Sequence, residues 1–212
     1  MKTERVRVFE EHWKSYDAWY DQYPDIFQSE LKLLQRVIPS RGLGLDIGVG
    51  TGRFASSLSI KFGLDPAYNM LKLAQKRDVL VVQGVGEALP FKDESFHFVS
   101  IVVTISFTED PLQVLREAFR ILKKEGAFIL ATIDKDSRWG RFYEAKRSRS
   151  RFYQTARFSR VQDILILLEN FPGKKTEVYQ TLFRSPPDVR GVEEPRFGFG
   201  QGGFVVFKRM KG

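Results

Sequence analysis

Apolar residues recur along this chain in two alternating patterns from about residue 30 onward. Short, continuous apolar runs rich in β-branched residues predict buried strands, and apolar residues at every third or fourth position predict helices. The predicted strands are 42–48, 62–65, 79–84, 97–103, 127–133, 176–183 and 203–210, and the predicted helices are 29–38, 53–60, 68–77, 111–124 and 160–171. Buried strands separated by helices indicate an α/β fold with a parallel sheet covered on both faces.

Composition removes several classes of protein from consideration. The 212 residues include no cysteine and only two histidines, His12 and His97, which argues against disulfides, thiolate zinc sites and histidine-based triads. The apolar fraction of 42% is enough for one sizeable core. No apolar run is long enough to cross a membrane as a helix, and the charged N-terminus lacks the apolar stretch of a signal peptide. We therefore expect a cytoplasmic protein without a membrane span.

A glycine-rich turn follows the first predicted strand, in the pattern Asp46-x-Gly48-x-Gly50-x-Gly52. The dinucleotide fingerprint G-x-G-x-x-G/A fails because Arg53 stands at its last position, and the Gly-Lys-Ser/Thr of a P-loop is absent. An acid ahead of the glycines would repel a pyrophosphate and suits a cationic or amine-bearing ligand. The alternative is an ordinary tight turn that Asp46 caps.

This pattern resembles the first motif of the class I S-adenosylmethionine-dependent methyltransferases. Three downstream stretches are similar to that family in the same order: FGLDPAYNMLKLA (62–74), VVQGVGEALPFKDESFHFV (81–99) and PLQVLREAFRILKKEGAFIL (111–130). The chain is identified as a member of the small-molecule, ubiquinone/menaquinone-methyltransferase-like branch. The resemblance implies a doubly wound, seven-stranded, mostly parallel sheet whose last strand is antiparallel. It also implies S-adenosylmethionine as cofactor and S-adenosylhomocysteine as product.

The resemblance also implies a set of cofactor-binding residues. Asp65, at the end of the second strand, would bond both ribose hydroxyls, although it could instead cap the next helix. Val85 replaces an aspartate of the family, so adenine recognition is expected to rely on neighbouring backbone and apolar packing. The implied set is Asp46, Gly48, Gly50, Gly52, Asp65, Pro66, Gly86, Glu87 and Ala88. Glu87 has the alternative of a solvated loop acid. The short interval between Gly52 and Asp65 predicts a clipped first covering helix.

Candidates for the acceptor site come from two aromatic-rich segments. Residues 135–160 hold nine Lys/Arg and two acids, a charge of +7 out of the chain's +8, and follow a strand whose carboxyl end faces ligands in such sheets. The candidates are Tyr16 and Trp19 near the N-terminus, and Arg138, Arg141 and Tyr143 in the basic segment. The alternatives are helix packing for the first pair, and a solvated helix or a nucleic-acid surface for the basic segment.

We expect a single methyltransferase domain over 1–212. Its parts are a helical N-terminal cap (1–40), a cofactor-binding core (41–134), the basic, aromatic insertion over the active site (135–160), and the last helix with the C-terminal strand pair (161–212). The expected reaction is direct, in-line methyl transfer to an N, O or C nucleophile of a small molecule, such as a small amine or an anionic metabolite. The alternatives are an RNA or tRNA methyltransferase, with nucleic acid as the partner, and a catalytically inactive cofactor-binding interaction module. No catalytic side chain and no metal is assigned.

Overall fold

Eight strands form one sheet in the computed structural model, which describes residues 4–212. They are β1 (Gly44–Ile47), β2 (Phe62–Asp65), β3 (Leu80–Gln83), β4 (Phe96–Val102), β5 (Leu122–Ile133), β6 (Glu177–Thr181), β7 (Arg196–Phe197) and β8 (Phe204–Met210). The order across the sheet is β3-β2-β1-β4-β5-β8-β6-β7. Strands β1 to β5 pair in parallel, whereas β8 runs antiparallel between β5 and β6. The predicted mostly parallel sheet with an antiparallel last strand is confirmed, and the two-residue β7 adds a short edge.

Within the described residues, seven α-helices pack around this sheet. They are α1 (Glu4–Gln22, kinked at His12), α2 (Pro24–Val37), α3 (Arg53–Ser57), α4 (Tyr68–Gln75), α5 (Pro111–Ile121), α6 (Arg138–Ala145) and α7 (Val161–Glu169). Helix α3 has five residues, which confirms the prediction of a clipped first helix. The expected N-terminal cap is helical in α1 and α2, and its residues 1–3 lie outside the described part. Across residues 4–212, no helix has both the length and the apolar character needed to span a membrane.

Helix α5 shows how local sequence sets an element. The Asp110 side chain accepts a hydrogen bond from the backbone N–H of Gln113, and Pro111 occupies the first turn, so the helix begins here. Its buried face includes Leu115 and Phe119, in agreement with the helical spacing of apolar residues that predicts this helix. The predicted end at residue 124 is wrong, because Leu122 already belongs to β5.

The sheet separates two apolar cores. On β8, Phe204 and Val206 point into one core, and Val205 and Phe207 point into the other, as the two-residue period of a strand requires. All four side chains are fully buried. The order of strands reverses between β1 and β4, and the carboxyl ends of these two strands meet at one edge. Open α/β sheets bind their ligands at such a switch point, and α1 lies over it.

Candidate functional site

The glycine turn after β1 forms the floor of the site. Gly48 and Gly50 have φ angles of 76° and 54°, in the left-handed region that side chains disfavour. A Cβ atom on Gly48 would overlap the side chain of Thr104, so the fold itself requires glycine there. A Cβ atom on Gly50 would have a single neighbour within 4 Å, Tyr16 Cε1 at 3.7 Å. Gly50 therefore presents bare backbone to an open space.

That open space is a cleft of about 570 Å³ at the carboxyl ends of β1, β2 and β4, with α1 as its outer wall. Its size is typical of sites for a cofactor or a small ligand. Six of the nine predicted cofactor-binding residues line it: Gly48, Gly50, Asp65, Pro66, Gly86 and Glu87. Val85, the position where the family has an aspartate, lines it as well.

Asp65 is buried at the end of β2 and faces this cleft. Its Oδ2 accepts a hydrogen bond from Gly50 N at 2.9 Å, and its Oδ1 accepts one from Ala67 N at 2.8 Å. Burial raises the pKa of this carboxyl to about 6, the two N–H donors oppose the rise, and the nearby Glu10 adds to it. Each carboxylate oxygen keeps acceptor capacity, so the group can still receive two hydroxyl donors from a ligand.

Three of the predicted cofactor residues do not line the cleft. Asp46 is 2% exposed within β1, where its Oδ1 accepts a hydrogen bond from Ser100 Oγ at 2.7 Å, and burial raises its pKa to about 7. Gly52 is the N-cap residue of α3, where a Cβ atom would lie 2.8 Å from Ala74 Cα. Ala88 is exposed in the loop after β3. Asp46 and Gly52 thus lie behind the floor of the cleft and shape the turn from there.

Glu87 connects two loops at the edge of the cleft. Its Oε1 accepts hydrogen bonds from the backbone N–H groups of Glu109, at 2.9 Å, and Asp110, at 3.4 Å. Its carbonyl oxygen accepts one from the Gln113 side chain. These bonds hold the loop after β3 against the start of α5. Glu87 is therefore not simply a solvated loop acid, which was the alternative from the sequence.

Charged side chains hold α1 over the cleft. Arg53 donates to both carboxylate oxygens of Asp17, at 2.9 and 2.8 Å, and Arg77 donates to the same two oxygens at 3.0 and 2.9 Å. Burial acts to raise the pKa of Asp17, but the hydrogen bonds from the two guanidiniums hold it well below its usual range. Arg77 also donates to the carbonyl of Thr51 in the glycine turn, so helix and turn are tied together.

A second, smaller cavity of about 100 Å³ adjoins the cleft. Phe9, Tyr16, Val103 and Phe107 line both spaces and form the boundary between them. Among residues 4–212, thirteen line the smaller cavity; nine of these are aromatic, and Glu30 is the one that carries a charged group. We refer to it below as the aromatic cavity.

Val103 is strained at this boundary. Its φ angle is 62°, which is uncommon for a β-branched residue, and its N–H donates to the carbonyl of Ala131 at 2.8 Å. The conformation turns the chain sharply after β4. Strained backbone of this kind clusters at functional sites.

The predicted acceptor residues divide into two groups. Tyr16, Trp19 and Tyr143 line the aromatic cavity. Arg138 and Arg141 are exposed and line neither cavity, so the structure does not bring them to the site. The reason lies in α6, which turns Trp139 into the core and leaves both arginines on the outer face.

In the rest of the basic segment, too, aromatic side chains face the site and arginines face solvent. Phe152 and Tyr153 line the aromatic cavity, and Phe152 stacks on Phe9 of α1 with ring centroids 5.6 Å apart. Arg149 and Arg151 are exposed. The segment thus contributes aromatic rings to the site and turns its charge toward solvent.

Glu30 is the functional candidate that the sequence reasoning missed. It is 6% exposed on α2, lines the aromatic cavity, and burial raises its pKa to about 8. One signal was available. Residues 26, 27, 30, 33, 34 and 37 form the apolar face of α2 at helical spacing, and an acid stands among them.

Comparison with known proteins identifies the family. The profile of the methyltransferase domain family matches residues 45–130. An uncharacterized protein of Methanocaldococcus jannaschii is 41% identical over 97% of this chain and 100% of its own length. A solved S-adenosylmethionine-dependent methyltransferase from Thermotoga maritima, described as a possible histamine N-methyltransferase, is 40% identical with a TM-score of 0.94 over 97% of this chain and 99% of its own. The chain belongs to the class I S-adenosylmethionine-dependent methyltransferases.

Weaker similarity extends to enzymes with named substrates. The demethylmenaquinone methyltransferase of Geobacillus kaustophilus is 28% identical over 96% of this methyltransferase and 90% of its own length. The cofactor of the methyltransferase is S-adenosylmethionine, and the residues of the larger cleft fit it. Gly50 offers bare backbone, and the buried Asp65 offers a carboxylate for hydroxyl groups.

Proposed function

We propose that this methyltransferase binds its cofactor in the larger cleft and transfers the methyl group to a small molecule in the aromatic cavity. The observation that carries the proposal is the shared boundary between the two spaces. Tyr16 and Val103 each line both, so a cofactor and an acceptor would meet there. Bringing two reactants together in this way supplies much of the rate of a methyl transfer.

Bound S-adenosylmethionine supplies an electrophilic methyl group, so the chain need not supply a nucleophile. Its own residues are proposed to position and enclose the reactants. Asp65 and the backbone at Gly50 would hold the cofactor, and Gly86 and Glu87 lie where its base is expected. The ion pairs of Asp17 with Arg53 and Arg77 keep α1 in place as the outer wall that excludes water.

The size and walls of the aromatic cavity favour a small acceptor over RNA. The cavity measures about 100 Å³ and is enclosed by α1, α2 and the segment around Phe152 and Tyr153. The exposed Arg138 and Arg141 line neither this cavity nor the cleft. The similar proteins with named substrates, the possible histamine N-methyltransferase and the demethylmenaquinone methyltransferase, also carry the names of small acceptors.

A screen with tritiated S-adenosylmethionine tests this proposal. Small amines, phenols, quinones and tRNA are offered in parallel, each at two salt concentrations. We expect transfer to a small molecule with little dependence on salt. Transfer to tRNA alone, with affinity that falls roughly tenfold or more over a modest rise in salt, would overturn the proposal in favour of RNA methylation.

A further inference from the structure

Glu30 is buried without a partner. The residue is only 6% exposed, and within residues 4–212 its carboxylate makes no hydrogen bond and no ion pair. It projects from the apolar face of α2 into the aromatic cavity. Buried acids are nearly always paired, because an isolated charge in an apolar setting is costly. The missing partner therefore points to a ligand that supplies it.

The walls around Glu30 specify the kind of ligand. Tyr16, Tyr143 and Tyr153 line the cavity from three different segments, and the rings of Tyr143 and Tyr153 lie against each other with centroids 4.2 Å apart. Aromatic rings arranged around a carboxylate are a favourable environment for an organic cation, which gains both an ion pair and cation–π contacts. An anion would be repelled by Glu30 when that group is ionised.

The hydroxyl groups nearby leave Glu30 available. Tyr16 and Tyr20 are hydrogen-bonded to each other, with their oxygens 2.9 Å apart, and within residues 4–212 neither hydroxyl donates to Glu30. Arginines of the basic segment do not neutralise Glu30, because the aromatic side chains of that segment face the cavity instead.

We propose that the acceptor carries a protonated amine, and that Glu30 and the surrounding aromatic rings bind this cationic group. The inference rests on the proposed function, since it assigns the aromatic cavity to the acceptor. It narrows the acceptor from any small nucleophile to an amine-bearing molecule. Glu30 is a substrate-binding residue, and the ammonium group of the acceptor is the ion-pair partner that the chain does not provide.

The test compares an amine with an alcohol of the same shape. Binding of 2-phenylethylamine and 2-phenylethanol, with further amine and alcohol pairs, is measured by calorimetry in the presence of S-adenosylhomocysteine. We expect amines to bind the wild type and the matched alcohols to bind at least about tenfold more weakly. Glu30→Gln should weaken amine binding about 10- to 100-fold and leave the affinity for S-adenosylhomocysteine unchanged.

Two further variants complete the design. Glu169→Gln, which alters an exposed acid at the end of α7, should bind amines like the wild type. Glu30→Asp retains the charge and should recover part of the affinity, which a purely structural role of Glu30 would not predict.

The result separates this inference from the proposed function. Equal binding of amines and alcohols, failure of every amine to bind, or an indifferent Glu30→Gln variant would overturn the amine proposal. If a phenol or quinone is then methylated, the small-molecule function stands without it. If tRNA alone is methylated, the proposed function itself fails.

Discussion

The guanidinium of Arg53 grips the carboxylate of Asp17 through two hydrogen bonds, at 2.9 and 2.8 Å, and so joins the first residue of α3 to the helix that covers the site. Arg53 is also the residue that breaks the dinucleotide fingerprint. The structure gives this arginine another role: its side chain points toward α1, and the surface of the cleft at this turn is formed by backbone atoms. Arg53 lines neither the cleft nor the aromatic cavity.

Removing the charge of Asp17 should loosen α1. Asp17→Asn leaves Arg53 and Arg77 without their shared carboxylate, so we expect the free energy of unfolding to fall by about 2 kcal/mol. Amide hydrogen exchange in α1 should become faster, and S-adenosylmethionine should bind more weakly. Glu11→Gln, at an exposed position of the same helix with a weak pair to Arg7, is the control and should change none of these. Unchanged exchange in Asp17→Asn would contradict the clamp.

Asp65 should contribute directly to cofactor affinity. Asp65→Ala removes a carboxylate that faces the cleft, and hydrogen bonds to charged groups are worth about 1.5–3 kcal/mol, so calorimetry should show a loss of that size. Asp163→Ala, at an exposed position of α7, is the control. A folded Asp65→Ala variant with wild-type affinity would mean that the ribose lies elsewhere.

Alanine at two glycines of the turn should separate folding from binding. In Gly48→Ala the new Cβ atom overlaps the side chain of Thr104, so we expect strong destabilisation in thermal unfolding. Gly50→Ala meets open space, and its strain of about 1 kcal/mol should leave the protein folded. Its affinity for S-adenosylhomocysteine should fall, because the methyl group occupies the cleft. If the two variants had the same stability and the same affinity for S-adenosylhomocysteine, the assignment of the glycine turn as the floor of the site would be wrong.

Glu30 should make the stability of the ligand-free protein depend on pH. Burial raises its pKa from an ordinary 4.5 to about 8, so the unfolded chain releases a proton between these values that the folded protein retains. The free energy of unfolding therefore falls as pH rises through this window. Glu30→Gln lacks the effect and should be more stable than the wild type by about 3–5 kcal/mol at pH 9, with little difference at pH 4.5.

The titratable groups near Glu30 do not contribute to this difference in the free energy of unfolding. Burial raises the pKa of Tyr16 to about 12 and the pKa values of Tyr20, Tyr143 and Tyr153 above their ordinary range, so these groups stay neutral. Asp46 and Asp65 titrate alike in both proteins, and their effects cancel in the difference. Urea unfolding from pH 4.5 to 9 gives the comparison, and a difference that does not grow with pH would contradict the assignment.

Reversing the charge of the outward-facing arginines should leave turnover intact. Arg138 and Arg141 line neither cavity, so the double substitution to Glu should change kcat and KM for the acceptor by no more than about twofold. Tyr143→Ala, on the inner face of the same helix, should raise KM. A large rise in KM for the double variant would restore these arginines to the acceptor site.

Features written in a short stretch of sequence could be predicted. The glycine spacing predicts the turn because Gly48, Gly50 and Gly52 all have positive φ angles, which residues with a side chain disfavour. The position of Asp65 at the edge of the cleft could be predicted because the residue ends a strand that the sequence pattern shows clearly. The short interval before it predicts the five-residue α3. In each case the physical cause acts within a few residues of the chain.

Features that depend on distant segments could not be predicted. The aromatic cavity brings together Phe9, Glu30 and Phe152, which lie on α1, on α2 and in the insertion. The helical spacing of α2 places Glu30 on the apolar face, but no local pattern tells which rings lie against it. The positive charge of residues 135–160 also did not predict which side chains face the site. In the structure, α6 buries Trp139 and exposes Arg138.

A crystal structure with S-adenosylhomocysteine and an acceptor amine tests the central claim most directly. We expect the nucleoside in the larger cleft, with its hydroxyl groups at Asp65, and the amine in the aromatic cavity against Glu30. A nucleoside bound in the aromatic cavity, or an acceptor bound on the exposed arginines of the basic segment, would contradict it.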